Sequence, residues 1–336
     1  MKEGILYKQR AERKAICNIC NRRCNIGEGQ IGFCRARKNL NGKIYSTVYG
    51  KPSAINLDPI EKKPLFHFSP GSKVLSIGTT GCSFNCQYCQ NWDLSRAELQ
   101  EEEISKEIRP NEIVRMAKEA GASGISYTYN EPSIFLEYAL DIAKLAHNEG
   151  LFNTFVTNGY MTVEAAKETK GLIDAATVDF KASANQGFAR KYISIPSEEP
   201  VFETILELKK NNIFIEITDL IVPEVGDSID DAKTLITWIK NNIGNETPLH
   251  FLAFHPDYKM LNLPSTSLKT LEEHYLLAKS LGMKHVYVGN ADTGHNNTYC
   301  ANCNALLIKR NIFNVLKNNM IGNTCPKCGT EVNIII

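Results

Sequence analysis

The stretch Lys73-Val74-Leu75-Ser76-Ile77-Gly78-Thr79-Thr80-Gly81-Cys82-Ser83-Phe84-Asn85-Cys86-Gln87-Tyr88-Cys89 runs a short apolar segment into three cysteines spaced C-x3-C-x2-C. Iron–sulfur clusters are held by thiolates, and an ordinary [4Fe–4S] cluster takes four. Here three fall on one tight loop, and no fourth lies between Cys34 and Cys300. Three ligands leave one iron without a protein ligand, and an open metal position is where a substrate or cofactor binds. A zinc knuckle or a group of buried free thiols shares the local pattern, because cysteine is often a small core residue.

Around this loop the composition is ordinary. The chain has 336 residues, enough for one large domain with small additions or for two domains. Hydrophobic content of 43% and charged content of 22% place it among soluble globular enzymes. A net charge of +1 offers no electrostatic case for nucleic acid or anionic membrane as the main partner. The charged start MKEGILYKQRAERK is no secretory signal, and no apolar run approaches the ~20 residues that span a bilayer. A soluble, cytoplasmic protein is expected. Eleven cysteines without an export signal argue for metal rather than disulfides. They fall in three groups, at 17–34, 82–89 and 300–328, which marks three separate sites.

Short β-branched runs alternate with amphipathic ones between Lys73 and Asn290. Strands are expected at 73–77, 124–127, 152–157, 176–180, 213–222, 249–254 and 285–288. Ile113, Met116, Ala117 and Ala120 recur at helical spacing before Gly121, and Phe135, Ala139, Ile142, Ala143 and Ala146 repeat the pattern before Gly150. Further helices are expected at 163–170, 201–211, 229–242 and 268–281, the last capped by Ser267. Such alternation builds a parallel sheet by right-handed crossovers. The expected fold is α/β: a partial parallel (β/α)6 TIM-like barrel over 73–291. A Cys-rich segment (1–50) and a linker (51–72) precede it, and a zinc-ribbon-like module (292–336) follows. An open doubly wound sheet is the alternative. In a parallel barrel, chemistry gathers at the C-terminal strand ends. There lie the cysteine loop, Tyr127-Thr128-Tyr129-Asn130-Glu131-Pro132, Thr157-Asn158-Gly159, Asp179-Phe180-Lys181 and Phe254-His255-Pro256.

A first barrel strand that runs into C-x3-C-x-aromatic-C, with Tyr88 before the last cysteine, resembles the radical S-adenosylmethionine (SAM) superfamily. Asp58-Pro59-Ile60-Glu61-Lys62-Lys63-Pro64-Leu65 and His255-Pro256 are similar to the pyruvate formate-lyase activating enzyme group. The flanking cysteine pairs and the TYNEP segment at 128–132 look most like the radical SAM component of the AmmeMemoRadiSam system. The resemblance implies a [4Fe–4S] cluster on Cys82, Cys86 and Cys89 whose open iron is chelated by SAM. One electron from it cleaves SAM to methionine and a 5′-deoxyadenosyl radical, which abstracts hydrogen from an unidentified substrate. It also implies an electron donor such as flavodoxin or ferredoxin, and Memo-type companion proteins. Asn130 and Glu131 would accept the SAM ammonium, the alternative being that Glu131 caps a helix that starts near Pro132. Thr157 and Asn158 would meet the ribose. The family's pattern has an Asp before that Thr where this chain has Val156, and Asn158-Gly159 also reads as a plain turn. Asp179 and Lys181 alternate with Phe180 and so share one face, where a mutual or cluster-linked ion pair would offset the cost of burial, and the resemblance places this Asp-x-Lys against SAM as part of its binding site. A rim salt bridge without a role has the same pattern. His255 would contact SAM, or be an ordinary loop histidine.

Cys300-x2-Cys303 and Cys325-x2-Cys328 form the two knuckles of a closed four-thiolate site, structural zinc by preference. Cys17, Cys20, Cys24 and Cys34 suffice for zinc or for an auxiliary [4Fe–4S] cluster that relays electrons, and ligand type does not separate the two. Three functional classes are thus in play. The leading one is a radical SAM enzyme, acting on its own substrate or, as a glycyl-radical-enzyme activating enzyme, on a protein partner. The others are a non-enzymatic iron–sulfur electron carrier and a nucleic-acid binder that uses Lys309, Arg310, Lys317 and Lys327 with Tyr299 and Phe313 for stacking.

Overall fold

The chain begins with two small antiparallel sheets. One joins β1 (Lys2–Glu3), β5 (Arg37–Leu40) and β6 (Lys43–Ser46), and the other β2 (Tyr7–Gln9), β3 (Ala15–Cys17) and β4 (Asn25–Ile26). The computed structural model that shows this describes residues 1–96 and 107–336. Next comes β7 (Ala54–Pro59), the edge strand of the main sheet, antiparallel to its neighbour β8 (Lys73–Gly78). From there β9 (Gly124–Tyr127), β10 (Phe152–Thr157), β11 (Ala175–Lys181), β12 (Phe214–Ile221), β13 (Leu249–Ala253) and β14 (Val286–Gly289) follow in sequence order. Each is parallel to the strand before it. Six β/α units are therefore present, as the alternation implies, and a seventh parallel strand ends the series.

The crossover helices start and stop where their sequences dictate. Thr162, Ser228 and Ser267 each accept a hydrogen bond from a first-turn backbone N–H, which caps Val163–Glu168, Ile229–Asn242 and Leu268–Ser280. Pro110–Glu119 buries Ile113, Val114 and Ala117, and Leu136–Asn148 buries Ala139, Ile142, Ala143 and Ala146. Both stripes lie at helical spacing and pack on the sheet in one continuous core.

Residues 51–72, expected as a linker, instead belong to the barrel. After β7 the chain turns through Ile60–Lys62 and buries Leu65, Phe66, His67 and Phe68. Thr177 Oγ1 on β11 donates to the Lys63 carbonyl at 2.6 Å, and Glu216 Oε1 on β12 accepts from His67 N at 2.7 Å. The other Glu216 oxygen pairs with His250 Nε2 at 2.7 Å, and His67 Nε2 meets the Tyr287 hydroxyl at 2.5 Å. The two sheet edges, β7 and β14, do not pair with each other. This plug ties β11, β12, β13 and β14 together beneath the lumen. Its apolar run lacks the period of a strand or helix, so nothing in the local sequence marked it as core.

Beyond the barrel, β15 (Thr298–Tyr299), β16 (Leu306–Asn311) and β17 (Asn314–Asn318) form a sheet with its own small core around Leu307, Ile308, Val332 and Ile334. Arg310 holds it to the plug. Its fully buried guanidinium donates to Phe66 O at 2.6 Å, Thr298 Oγ1 at 2.7 Å and Glu61 Oε1 at 3.4 Å. It also lies 4.4 Å from the centre of the Phe66 ring. The expected basic face for nucleic acid is thereby reduced: Arg310 is buried and Phe313 turns into the central cavity, which leaves Lys309 and Lys317, paired across β16 and β17, and Lys327 as the exposed charges of that set. Among the described residues no helix is long and apolar enough to cross a membrane.

Replacing Arg310 with Met leaves Glu61 buried without its cation. Loss of one partner from a buried ion pair costs about 3–5 kcal/mol. Urea unfolding followed by circular dichroism is expected to show a loss of that order, and an unchanged midpoint would refute the anchoring role.

Candidate active site at the strand ends

The barrel lumen is a cavity of about 520 Å³. Its wall follows the two-residue period of the strands. Thr177, Asp179 and Lys181 of β11, Thr218 and Leu220 of β12, His250 and Leu252 of β13 and Val288 of β14 line it. The residues between them, such as Val178, Phe180 and Phe251, are buried on the helix side. Cys82, Cys86 and Cys89 line the same cavity from the loop that follows β8.

That loop is held on several sides. Gly81 has φ +92°, and a Cβ there would come within 2.2 Å of the Cys34 carbonyl oxygen, so only glycine fits. Asn130 Oδ1 accepts from Thr79 N at 3.2 Å, while its Nδ2 donates to Gly81 O at 2.9 Å and Thr79 Oγ1 at 3.1 Å. Asn158 Nδ2 donates to Ser83 Oγ at 3.0 Å and lies 3.9 Å from Cys82 Sγ. Further along, Asn85 N and Gln87 N donate to the carbonyls of Ile193 and Tyr192 at 3.0 and 2.9 Å. Burial pushes the Cys86 thiol up to about 12 and the Cys82 thiol well above its ordinary value. A bound metal cation reverses that preference and draws out the thiolates. Three thiols on one braced loop, with open space in front of them, fit a [4Fe–4S] cluster that keeps one iron free for a ligand.

The residues singled out in the sequence fare differently. Asn130, Thr157, Asn158, Asp179, Lys181 and His255 all line the cavity, and Glu131 does not. Glu131 is fully buried and accepts from Ser133 N at 3.0 Å, Asn158 N at 2.8 Å and Thr157 Oγ1 at 2.9 Å. It caps the turn at Pro132–Phe135 and aims Asn158 at the cysteine loop. These contacts match the capping alternative read from the sequence, and they turn the Glu131 oxygens toward Ser133, Thr157 and Asn158. Thr157 shares that network and also accepts from Gly159 N at 3.0 Å. Val156, where the family pattern has Asp, adds an apolar patch to the wall.

Asp179 and Lys181 form an ion pair facing the lumen, and Asp179 Oδ1 also accepts from Thr218 Oγ1 at 2.7 Å. Burial pushes the Lys181 ammonium down, but the surrounding acidic groups, Asp179 foremost and then Cys86 and Glu198, together hold its pKa above the ordinary value. His255 sits exposed at the mouth, 3.3 Å from Ser265 Oγ and from the Asn290 carbonyl.

Three features escaped sequence reading. Glu198 buries both carboxylate oxygens without a hydrogen-bond partner. Burial, then the negative field of Asp219, holds its carboxyl well above the usual range, and Lys181 opposes this only in part. Ser197-Glu198-Glu199-Pro200 reads only as a helix start, so no local signal announced it. Second, the Asp58-to-Lys63 segment folds on itself. Asp58 accepts from Lys63 Nζ at 2.8 Å, Lys62 Nζ at 2.9 Å and the Tyr129 hydroxyl at 2.8 Å, joining β7 to the loop after β9. Third, Asn296, Ile312 and Phe313 reach the cavity from the C-terminal module.

The other two cysteine groups differ from each other. The thiols of Cys300, Cys303, Cys325 and Cys328 lie within 4.8 Å of one another, with contacts of 3.6 Å (Cys300–Cys328) and 3.7 Å (Cys303–Cys325). Such spacing matches four ligands about one tetrahedral ion, for which Zn–S bonds of ~2.3 Å give edges of ~3.8 Å. Cys17, Cys20, Cys24 and Cys34 line a separate pocket beside the cysteine loop.

This site, three cysteines opposite a polar lumen at the C-terminal ends of a parallel sheet, defines a class. The pattern of the Radical SAM superfamily matches residues 76–239. The chain belongs to that superfamily, and it is an enzyme of the kind related to the pyruvate formate-lyase activating enzymes. It is 43% identical to an uncharacterized protein of Methanocaldococcus jannaschii over the whole of both chains. It is 27% identical to the pyruvate formate-lyase-activating enzyme of Clostridium pasteurianum, across 54% of this chain and 77% of that one. A radical SAM methyltransferase from Sphaerobacter thermophilus shares the fold, with a TM-score of 0.50 at 16% identity over 71% of each chain.

Glu131→Gln places an NH2 donor against the donors that now meet a carboxylate. An unfolding free energy lower by about 1–3 kcal/mol is expected in the absence of any ligand. A variant of unchanged stability whose only defect is weakened SAM binding would favour the direct-contact role.

Proposed function

We propose that the chain cleaves SAM reductively at Cys82, Cys86 and Cys89 and directs the resulting 5′-deoxyadenosyl radical at a substrate held in the lumen. The observation that carries this reading is the placement of all three thiols in one wall of a 520 Å³ cavity whose other walls are polar and charged. A [4Fe–4S] cluster bound there supplies one electron to the sulfonium and leaves an open iron for the methionyl amine and carboxylate. The residues of the chain do the rest. Asn130 and Asn158 hold the loop at fixed height above the strand ends, and Glu131 keeps Asn158 in place. Lys181 and Asp179 present paired charges to a zwitterionic ligand, and Val156, Leu220, Leu252 and Phe254 supply the apolar wall. His255 stands at the entrance to meet the adenosyl end of SAM or the substrate.

Two relatives' names point to a glycyl-radical protein partner, and the resemblance of the flanking cysteine pairs and the TYNEP segment to the AmmeMemoRadiSam component keeps a different, unidentified substrate open. Ile312 and Phe313 reach into the cavity from the C-terminal module, which favours a slender substrate over a bulky folded partner. The electron comes from a flavodoxin- or ferredoxin-type donor, and Memo-type proteins act as companions. The four C-terminal thiols hold structural zinc, because two pairs close a tetrahedral shell and leave no position for a substrate.

Anaerobic reconstitution, reduction with dithionite and addition of SAM are expected to yield 5′-deoxyadenosine and methionine, and Cys86→Ala is expected to bring the yield to background. Fully loaded wild-type protein that forms no 5′-deoxyadenosine would overturn the assignment. Cys303→Ser is expected to remove about one zinc per chain by elemental analysis and to lower thermal stability, with SAM cleavage still measurable. Equal and total loss of cleavage in this variant would refute a purely structural site.

A further inference from the structure

We propose that Cys17, Cys20, Cys24 and Cys34 hold a second [4Fe–4S] cluster seated directly behind the loop that carries Cys82. The four thiols come together through local structure. Cys17 ends β3, Cys24 immediately precedes β4, and Cys17 N donates to Cys24 O at 3.0 Å across the hairpin. Cys34 is brought back by a turn in which Gly32 N donates to Arg37 O at 2.8 Å. All four line one pocket, together with Ile134, Arg22 and Arg37.

Spacing distinguishes the metal, where ligand type does not. Around a single tetrahedral ion four sulfurs crowd to edges of ~3.8 Å, as the C-terminal set does at 3.6 and 3.7 Å. Among the described residues, that set is the only group of three or more such ligand atoms within 4.8 Å of one another. The N-terminal four surround a common space, and no three of them lie all within 4.8 Å of one another, which is wider than the shell of a single tetrahedral ion. In a [4Fe–4S] cluster each thiolate binds a different iron and points outward, which holds the sulfurs roughly 6 Å apart. Cys82, Cys86 and Cys89 likewise do not all lie within 4.8 Å of one another. The N-terminal quartet thus resembles the radical site and differs from the zinc-like module.

Position supplies the role. The Cys34 carbonyl packs against Gly81, the residue before Cys82, and leaves no room for a side chain between the two loops. Arg22 donates to the carbonyls of Ser83 and Ser194, and its charge reaches Cys20 and Cys24 on one side and Cys82 on the other. Cys17, Cys20 and Cys34 are buried, so the site is shielded from water. A cluster here takes single electrons from a flavodoxin- or ferredoxin-type donor and passes each to the radical site. That role rests on the function proposed above; the presence of the cluster does not.

The test is metal and acid-labile sulfide analysis of the anaerobically reconstituted C82A/C86A/C89A variant, with electron paramagnetic resonance after reduction. The variant is expected to retain about four irons and four sulfides per chain and to give the spectrum of a reduced [4Fe–4S] cluster. Iron below one per chain, with a second zinc in its place, would overturn the proposal. Wild-type protein guards against misfolding of the variant: about eight irons and one zinc support the second cluster, and about four irons and two zincs exclude it. Wild-type protein with eight irons that fails to cleave SAM would sink the proposed function and leave this inference standing.

Discussion

The site depends on one steric constraint, the closure of the Cys82 loop around Gly81. The chain leaves β8 and must reverse at once to bring three thiols over the strand ends. It does so in a conformation that only glycine tolerates, with the Cys34 backbone pressed behind it and Asn130 bonded in front. A ligand loop of this kind gains precision from its neighbours rather than from its own secondary structure. Asn130 comes from the loop after β9 and Asn158 from the end of β10, so two further strand ends fix the height of the cysteines above the sheet. Glu131 underlies both, because one buried carboxylate collects donors from each of those segments. Removing such an acceptor leaves buried donors unpaired, at a cost larger than the net gain of an ordinary hydrogen bond.

The lumen poses a second problem, since it places charge inside a barrel. Each charged group facing it is met by a partner. Asp179 meets Lys181 and Thr218, while Glu216 meets His250 and the His67 backbone. Such pairing is the condition under which buried polar groups are tolerated. Glu198 stands apart, its carboxylate oxygens buried near Asp219 without a side-chain partner, and burial followed by the field of Asp219 pushes its carboxyl well above the usual range. An arrangement of this kind stores polarity next to the Asp179–Lys181 pair.

Beneath and above the lumen, segments distant in sequence complete the barrel. The plug at 60–72 joins β11 through β14 from below, and Arg310 locks the C-terminal module to that plug. From the same module Ile312 and Phe313 reach the cavity. The third cysteine group is thus coupled to the active site without touching the radical-site thiols. Its thiols pack against the core of a small sheet, and the turn of that sheet lines the cavity.

All seven parallel strands and the six crossover helices were legible in the sequence, because a period of two or of 3.6 residues and a capping serine or threonine are local properties. Cysteine spacing was legible for the same reason: ligands a few residues apart share one loop whatever surrounds them. It marked three sites, and the ionic pairing of Asp179 with Lys181 followed from their two-residue separation. What escaped was set by contacts between segments far apart in the chain. Glu131 read as a SAM contact or as a helix cap, and its bonds to Thr157 and Asn158 were set by segments far away in the chain; residues 51–72 read as a linker until the barrel closed over them. The choice between one ion and a cluster at Cys17, Cys20, Cys24 and Cys34 is likewise a matter of distances in space. By itself the sequence determined which residues can bind metal and which elements carry them. Only the tertiary structure decided which buried polar group spends its hydrogen bonds on the fold and which remains free to face the lumen, since that depends on donors brought together by packing.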